Sequence, residues 1–373
     1  MQTRIRRKVV HLTSVHPASD TRIAFRECRS LAEAGYDVTL IAAGDAQGLP
    51  EGVRLRRVPL PANRLERMTR TIWHVYRAAL DERADVYHFH DPELMGVGLA
   101  LRLRGAQVVF DVHEDIPLDI VDKFWIPHAI RGPLSVSAAL FLRAMHRWYS
   151  AIVTATPAIA RRFPHRRTVI VANYPRLDEL PKTAVNDFAQ RPRAAIYLGA
   201  ITELRCIEEM IRAMSSPALA PDIHLRLAGT FETPELEQRV RALPGWRNVE
   251  FLGFCRRSDV GRAFEGARLG LLLFRPAANH EEAMPTKLFE YLGAGLPVII
   301  SDTMQCSSIV RQHECGIVVK PTDIEGIARA ITFLVENPSA AKAMGERGRR
   351  IVLERYQWSS EADKLRKLYA EIA

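Results

Sequence analysis

Glu282 and Glu290 stand with seven residues between them in the segment Glu281-Glu-Ala-Met-Pro-Thr-Lys-Leu-Phe-Glu-Tyr-Leu-Gly-Ala-Gly-Leu-Pro297. Pro285 suits a first helical turn and Gly293 with Gly295 a helix end, so the pattern predicts a short helix. The unpaired N–H groups at its start could donate to a phosphate. Lys287 falls in that first turn, where a cation opposes the helix dipole unless an anion is present, so its position points to a diphosphate. Glu290, three residues on, could accept both hydroxyls of a ribose. A solvated Lys287–Glu290 surface pair is the plainer alternative.

The first half of the chain carries a second set. His16, Asp20 and Arg22 lie in Ser14-Val-His-Pro-Ala-Ser-Asp-Thr-Arg22, His90 and Asp91 in His88-Phe-His-Asp91, and His113 in Asp111-Val-His-Glu-Asp115. His88 and His90 alternate along one strand face, which would allow two metal ligands. No third His or Cys cluster adjoins them in sequence and the chain contains no Asp-x-Asp, so no metal is expected. Cationic side chains and helix dipoles would then have to face a diphosphate. His16, Asp20 and Arg22 read as a polar loop over a phosphate or acceptor. Asp20 could equally cap the helical pattern near Phe25.

Short β-rich runs alternating with amphipathic patterns must position these groups, the signature of parallel α/β layers. Strands are expected at Val9–Thr13, Val38–Ala42, Val86–His90, Val108–His113, Ala151–Thr156 and Val169–Ala172. Helices are expected near Phe25–Ala34, Leu65–Asp81, Glu93–Leu103 and Pro133–Tyr149. A proline-rich stretch over 173–192 reads as a linker. Strands then resume at Ala195–Leu198, His224–Ala228, Val249–Leu252, Leu269–Phe274, Val298–Ser301 and Gly316–Val319. The expected division is 1–172, linker 173–192, 193–355, and a last helix in 356–373 returning to the first domain. Ligands of such sheets bind at the carboxyl ends of the strands, where His16, His90, His113, Gly199, Gly229 and the segment Arg275–Glu290 all fall. If the two domains face each other, these tips line one central cleft.

At 373 residues, with 47% hydrophobic and 25% charged, the chain is too long for one small module and too apolar for disorder. The 52 Lys+Arg against 43 Asp+Glu give +9; residues 1–172 hold 25 basic and 17 acidic, so +8 of that excess sits in the first half. That half calls for an anionic neighbour. Around Arg64-Leu-Glu-Arg67-Met-Thr-Arg70-Thr-Ile-Trp73, arginines three apart interleave with apolar residues, as on an anionic membrane surface. Phe124-Trp125-Ile126 and Leu140–Tyr149 add aromatics, with core packing as the plainer reading. No nucleic-acid-binding motif is present. Five scattered cysteines suit a reducing, cytoplasmic compartment, with the inner membrane face a candidate for peripheral attachment. No secretory signal or apolar run near ~18 residues is expected.

Together these motifs resemble the retaining GT-B glycosyltransferases of family four. The resemblance rests on Glu282-x7-Glu290 with Pro285, Lys287 and Gly295-Leu-Pro-Val298, on Thr13-Ser-Val-His-Pro…Asp20-Thr-Arg-Ile23, on Tyr87-His-Phe-His-Asp-Pro-Glu-Leu94 and on Asp111-Val-His-Glu-Asp115. It runs from about residue 8 to 360. It implies two Rossmann-like α/β domains, a nucleotide-sugar donor and a glycan or lipid-linked acceptor, with no cofactor. Carried over, it gives Glu290 the ribose, Glu282 (with Glu281 as neighbour) the transferred sugar, and His113 the donor hexose. Gly199, Arg205, Gly229, Phe254, Lys287 and Leu288 would surround the donor. Where the family often has Gly-Arg…Lys-Gly, this chain has Ala200, Arg205 and Cys206, so one cation is missing and Arg205 with Lys287 would have to serve the diphosphate.

The expected activity is transfer of a sugar, from a UDP-sugar in preference to a GDP-sugar, in bacterial surface polysaccharide or glycolipid synthesis. A sugar-nucleotide epimerase of the same fold, or a non-catalytic nucleotide-sugar or nucleic-acid binding protein, are the competing readings. A nicotinamide dehydrogenase is disfavoured, because no Gly-x-Gly-x-x-Gly follows the first strand. The sequence leaves the oligomeric state open.

Overall fold

β-branched runs too short for helices and flanked by helical patterns have one stable outlet, a parallel sheet covered on both faces. The computed structural model contains two such sheets and describes residues 6–44, 48–122, 126–164, 166–180, 188–277 and 281–372. The chain divides into two units, Met1–Asn173 with Trp358–Ala373, and Tyr174–Gln357.

The first unit holds β1 (Lys8–Leu12), β2 (Asp37–Ala43), β3 (Val53–Val58), β4 (Val86–Phe89), β5 (Gln107–Val112), β6 (Ala151–Thr154) and β7 (Thr168–Ile170). Their order is β3-β2-β1-β4-β5-β6-β7, all parallel. The direction of winding reverses beside β1, which opens a crevice at the strand ends. β3 is absent from the sequence reading. Its Val-Arg-Leu-Arg-Arg-Val pattern is an edge pattern, with Arg54 paired to Asp37 at 2.9 Å and Arg56 to Glu82 at 3.2 Å. The histidine strand is consequently the fourth rather than the third.

Two helical expectations also shift. The helix near Phe25 begins at Thr21, with Asp20 accepting from the Ile23 N–H at 2.9 Å, so Asp20 does cap it and Arg22 lies inside it rather than on a loop. Its first stretch, Thr21–Cys28, is π-helical before an α-helical Arg29–Glu33. The helix expected from Pro133 starts at His128 and ends at Met145. The last helix, Trp358–Ile372, belongs to the first unit and buries Trp358, Ala362, Leu365, Leu368, Tyr369 and Ile372, the spacing of one apolar face. Trp358 Nε1 donates to Ser30 Oγ at 2.7 Å, and Glu361 accepts the Ala172 N–H at 2.8 Å.

The second unit repeats the scheme with β8 (Ala194–Leu198), β9 (His224–Ala228), β10 (Val249–Gly253), β11 (Leu269–Leu272), β12 (Val298–Ser301) and β13 (Gly316–Val319) in the order β10-β9-β8-β11-β12-β13. The helix Thr286–Gly293 lies between β11 and β12 in sequence, and Pro285 occupies its N-cap rather than its first turn. Gly295, at φ +73°, closes it in the left-handed region. Of the expected linker, residues 181–187 lie outside the described residues, as do Phe124, Trp125 and residues 278–280 of the Arg275–Glu290 segment.

Candidate active site

Register decides which polar groups of the first unit meet. His11 pairs with His88 across β1 and β4, so His11, His88 and His90 share one sheet face, joined by Asp111 from β5. That face otherwise carries Val9, Val86 and Val109 and packs against Ala24, Trp358, Leu365 and Tyr369 of the covering helices. The polar residues occupy its carboxyl end and are all buried.

The π-turn's i→i+5 closure stacks Arg22 with Glu27, Nε standing 3.0 Å from Oε1. Arg22 also donates from Nε and Nη2 to the two oxygens of Asp111, at 3.1 and 3.0 Å, and from Nη1 to Val171 O at 2.8 Å. Burial opposes the charge on Asp111, yet Arg22 and then His113 hold its carboxyl well below the usual range. Burial and then the Asp111 charge push Glu27 well above it. Burial, reinforced by neighbouring rings, pushes His11 and His88 well below 6.5, and takes His90 down to about 4 against the pull of Asp111.

The rings form a chain: His11 Nδ1 to His90 Nε2 at 2.9 Å, His90 Nδ1 to His113 Nε2 at 3.1 Å, and His113 Nε2 to Asp111 Oδ2 at 2.9 Å. His88 Nδ1 meets Tyr369 Oη at 2.8 Å. His113 thus reaches the surface from a buried anionic anchor and lines a cavity of about 870 Å³. His16, His90 and Asp91 share that cavity with an apolar wall from Phe110, Ile116, Ile120, Ile126 and Leu134, and a basic rim from Arg64 and Arg67. Asp91 accepts from Thr13 Oγ1 at 2.8 Å and from the Ser14 N–H at 2.6 Å, so it braces the loop after β1. His16 bridges Asp20 and Asp91 at 3.5 and 3.4 Å. Arg22, buried on Asp111 and Glu27, braces the site from below instead of facing a ligand.

In the second unit Gly199, Arg205, Lys287 and Glu290 converge. A Cβ built on Gly199 (φ +149°) would lie 3.1 Å from Arg205 Nη1 and 3.6 Å from Lys287 Cε. Lys287 Nζ donates to Glu290 Oε2 at 2.8 Å, and neither side chain is fully buried. Gly229 (φ +150°) packs on Gly199 so closely that any Cβ would overlap the Gly199 carbonyl oxygen, and its N–H donates to Gly253 O at 2.8 Å. Cys206 adopts φ +54°, the left-handed conformation a glycine takes without strain. Burial pushes its thiol up to about 12, so it is no nucleophile. Phe254 is 77% exposed beside this group, whereas Leu288 is wholly in the core and has only its backbone at the helix start. Glu282 is exposed, ahead of the helix.

Sequence reading missed the residues that brace both groups. Tyr291 Oη accepts the Leu198 N–H at 3.0 Å, tying the helix of Lys287 and Glu290 to the strand end before Gly199. In the first unit the missed residues are His11, Glu27, Asp111 and Tyr369. Polar residues in the apolar runs of β1 and β5 were the available signal for His11 and Asp111; Glu27 and Tyr369 lie on helices and carry none. The absence of a third ligand next to His88 and His90 holds in sequence but not in space, where Glu27 and Asp111 arrive from other elements.

A tandem pair of doubly wound domains, with polar clusters at both sets of strand ends, is the GT-B fold. Residues 180–351 match the family described as glycosyl transferases group 1, and residues 21–173 the glycosyl transferase 4-like domain. The chain belongs to these group 1, family-4-like glycosyltransferases. It is 24% identical over 368 residues to a phosphatidyl-myo-inositol mannosyltransferase of Mycobacterium leprae, covering 93% of this chain and 89% of that one. Among solved structures it resembles a sucrose-phosphate synthase of Thermosynechococcus elongatus, with TM-score 0.78, 20% identity and coverage of 98% and 99%. It also resembles Anabaena HepE in complex with UDP and glucose, with TM-score 0.71, 13% identity and coverage of 98% and 100%. Glycosyltransferase activity, related to mannosyltransferases of glycolipid synthesis, follows for this chain.

Proposed function

We propose that this glycosyltransferase takes a sugar from a nucleoside diphosphate, uridine being the favoured base, and passes it to an acceptor hydroxyl with retention of configuration. The observation carrying the donor half is the convergence of Gly199, Arg205, Lys287 and Glu290. A diphosphate there gains two cations and the N-terminal dipole of the helix Thr286–Gly293, groups that stabilise the leaving charge without a metal clamp. Glu290, released from Lys287 by the phosphate, accepts the ribose hydroxyls. Glu282, ahead of that helix, holds the transferred sugar. HepE, solved with UDP and glucose, supports the uridine base. The mannosyltransferase relative supports mannose as a second reading of the sugar.

The acceptor is lipid-linked. The cavity beside His113 combines a basic rim with an apolar wall, which suits an anionic head group followed by an acyl or polyprenyl chain. Leu134 of that wall belongs to the helix His128–Met145, which also exposes Ile130, Val136, Leu140 and Phe141, with Arg131 and Arg143 on the same helix. Among the described residues no helix is long and apolar enough to cross a membrane. This helix would instead lie on an anionic one.

Calorimetry with UDP, GDP, UDP-glucose and GDP-mannose tests the donor site. The preferred nucleotide should bind Glu290→Ala about 5- to 150-fold more weakly, the loss of a charge-assisted pair at ~1–3 kcal/mol. His113→Ala should keep bare nucleoside diphosphate binding and lose sugar transfer. Unchanged affinity in the first variant, or unchanged turnover in the second, removes that residue from the site.

A further inference from the structure

We propose that the buried group Glu27, His88, His90 and Asp111 is a structural binding site for a divalent transition ion of the zinc class. One ligand atom from each of the four lies within 4.8 Å of the others, and all four residues are buried. His88 Nε2 is 4.0 Å from Glu27 Oε2 and 4.0 Å from Asp111 Oδ2, while His90 Nδ1 is 3.2 Å from the same Asp111 oxygen. A tetrahedron with zinc–nitrogen and zinc–oxygen bonds of ~2.0–2.1 Å has edges of ~3.3 Å, so closure asks each side chain to move by less than about 1 Å. A two-nitrogen, two-oxygen set around a closed centre fits zinc better than magnesium or calcium, which take oxygen ligands.

The independent sign is an orphan. His88 Nε2 is buried and has no hydrogen-bond partner among the described residues, and Glu27 Oε2 receives no N–H or O–H from any of them. These two atoms stand 4.0 Å apart, a separation that one ion at ~2.0–2.1 Å from each would span. A buried imidazole nitrogen with no partner is costly; a metal ion between the two atoms satisfies both at once.

The surrounding groups are arranged as such ligands require. His88 Nδ1 meets Tyr369 Oη at 2.8 Å, and in the tautomer in which Nδ1–H donates to that hydroxyl, Nε2 carries the lone pair an ion needs. His90 Nε2 meets His11 Nδ1 at 2.9 Å, while His90 Nδ1, facing Asp111 at 3.2 Å, would exchange its 3.1 Å contact with His113 for the ion. Arg22 holds both Asp111 oxygens and Glu27 Oε1, so the carboxylates cannot swing away. With four protein ligands, the site would fix β4, β5 and the π-helical turn together, below His113. It is a framework site, separate from the metal-free donor chemistry above, and stands or falls without it.

The experiment is metal analysis of the full chain, loaded with one equivalent of Zn²⁺ and dialysed, followed by cobalt substitution of chelator-stripped protein. About one zinc per chain should be retained, cobalt should give the intense visible absorption of a four-coordinate ion, and zinc should raise the Tm. His88→Gln and Glu27→Gln should each lose the stoichiometric ion and the Tm response. If either variant fails to fold, the wild-type cobalt spectrum decides alone. Folded wild-type protein retaining under about 0.1 equivalents, a six-coordinate cobalt spectrum, or a His88→Gln variant that keeps the full ion overturns the proposal.

Discussion

Tyr291→Phe tests whether the donor site is held together as described. Tyr291 is fully buried, and its hydroxyl accepts the Leu198 N–H at 3.0 Å. β8 pairs with β11 only through Ala195 and Ile196, so at Leu198 the phenol oxygen replaces a ladder carbonyl. Removing it leaves the ring in place and opens no sizeable cavity. The loss is therefore that of an orphaned buried N–H, ~1–3 kcal/mol. Unfolding of two units in one chain is not a two-state measurement, so the local assay is hydrogen exchange of a peptide spanning 194–201. Its protection should fall by about 5- to 150-fold, with peptides of β1 and β4 unchanged. Because the same bond ties Gly199 to the helix bearing Lys287 and Glu290, nucleoside diphosphate affinity should fall with it. A companion, Gly270→Ala, keeps the hydroxyl but sets a Cβ 2.5 Å from Tyr291 Cγ; overpacking of ~1–3 kcal/mol should produce the same pattern. Wild-type exchange in both variants would refute the bracing role.

Gly229→Ala combines a left-handed backbone with overlap on the Gly199 carbonyl, two backbone elements that cannot rotate away. A cost of ~3 kcal/mol or more should lower the melting of the second unit by ~6–12 °C; a shift below ~2 °C contradicts the close crossing. Wild-type protein should sediment with vesicles containing acidic lipid and much less with neutral ones, while Leu140→Glu/Phe141→Glu should stay in the supernatant. Equal sedimentation of that double variant would remove the helix His128–Met145 from the membrane contact.

Alternating apolar runs and helical patterns determined a parallel α/β chain in two halves, because burial on both faces of a sheet leaves its mark in every strand. The exception was β3, whose arginines pair with acids at an edge and so conceal the period. The motifs proposed Lys287, Glu290, His90 and His113 as site residues, and these lie on the helix Thr286–Gly293 or just past the strands β4 and β5. The motifs misjudged Arg22, since a polar residue near a cap looks the same whether it faces solvent or a buried Asp111. Only the tertiary structure decided what register and helix packing bring together. His11, Glu27, His88 and Asp111 come from one helix and three strands; Tyr369 is 281 positions from His88, yet 2.8 Å from its ring. Such contacts carry no local period, and burial then gives them their chemistry: the same imidazole is an ordinary base in water and is held neutral at the centre of this sheet.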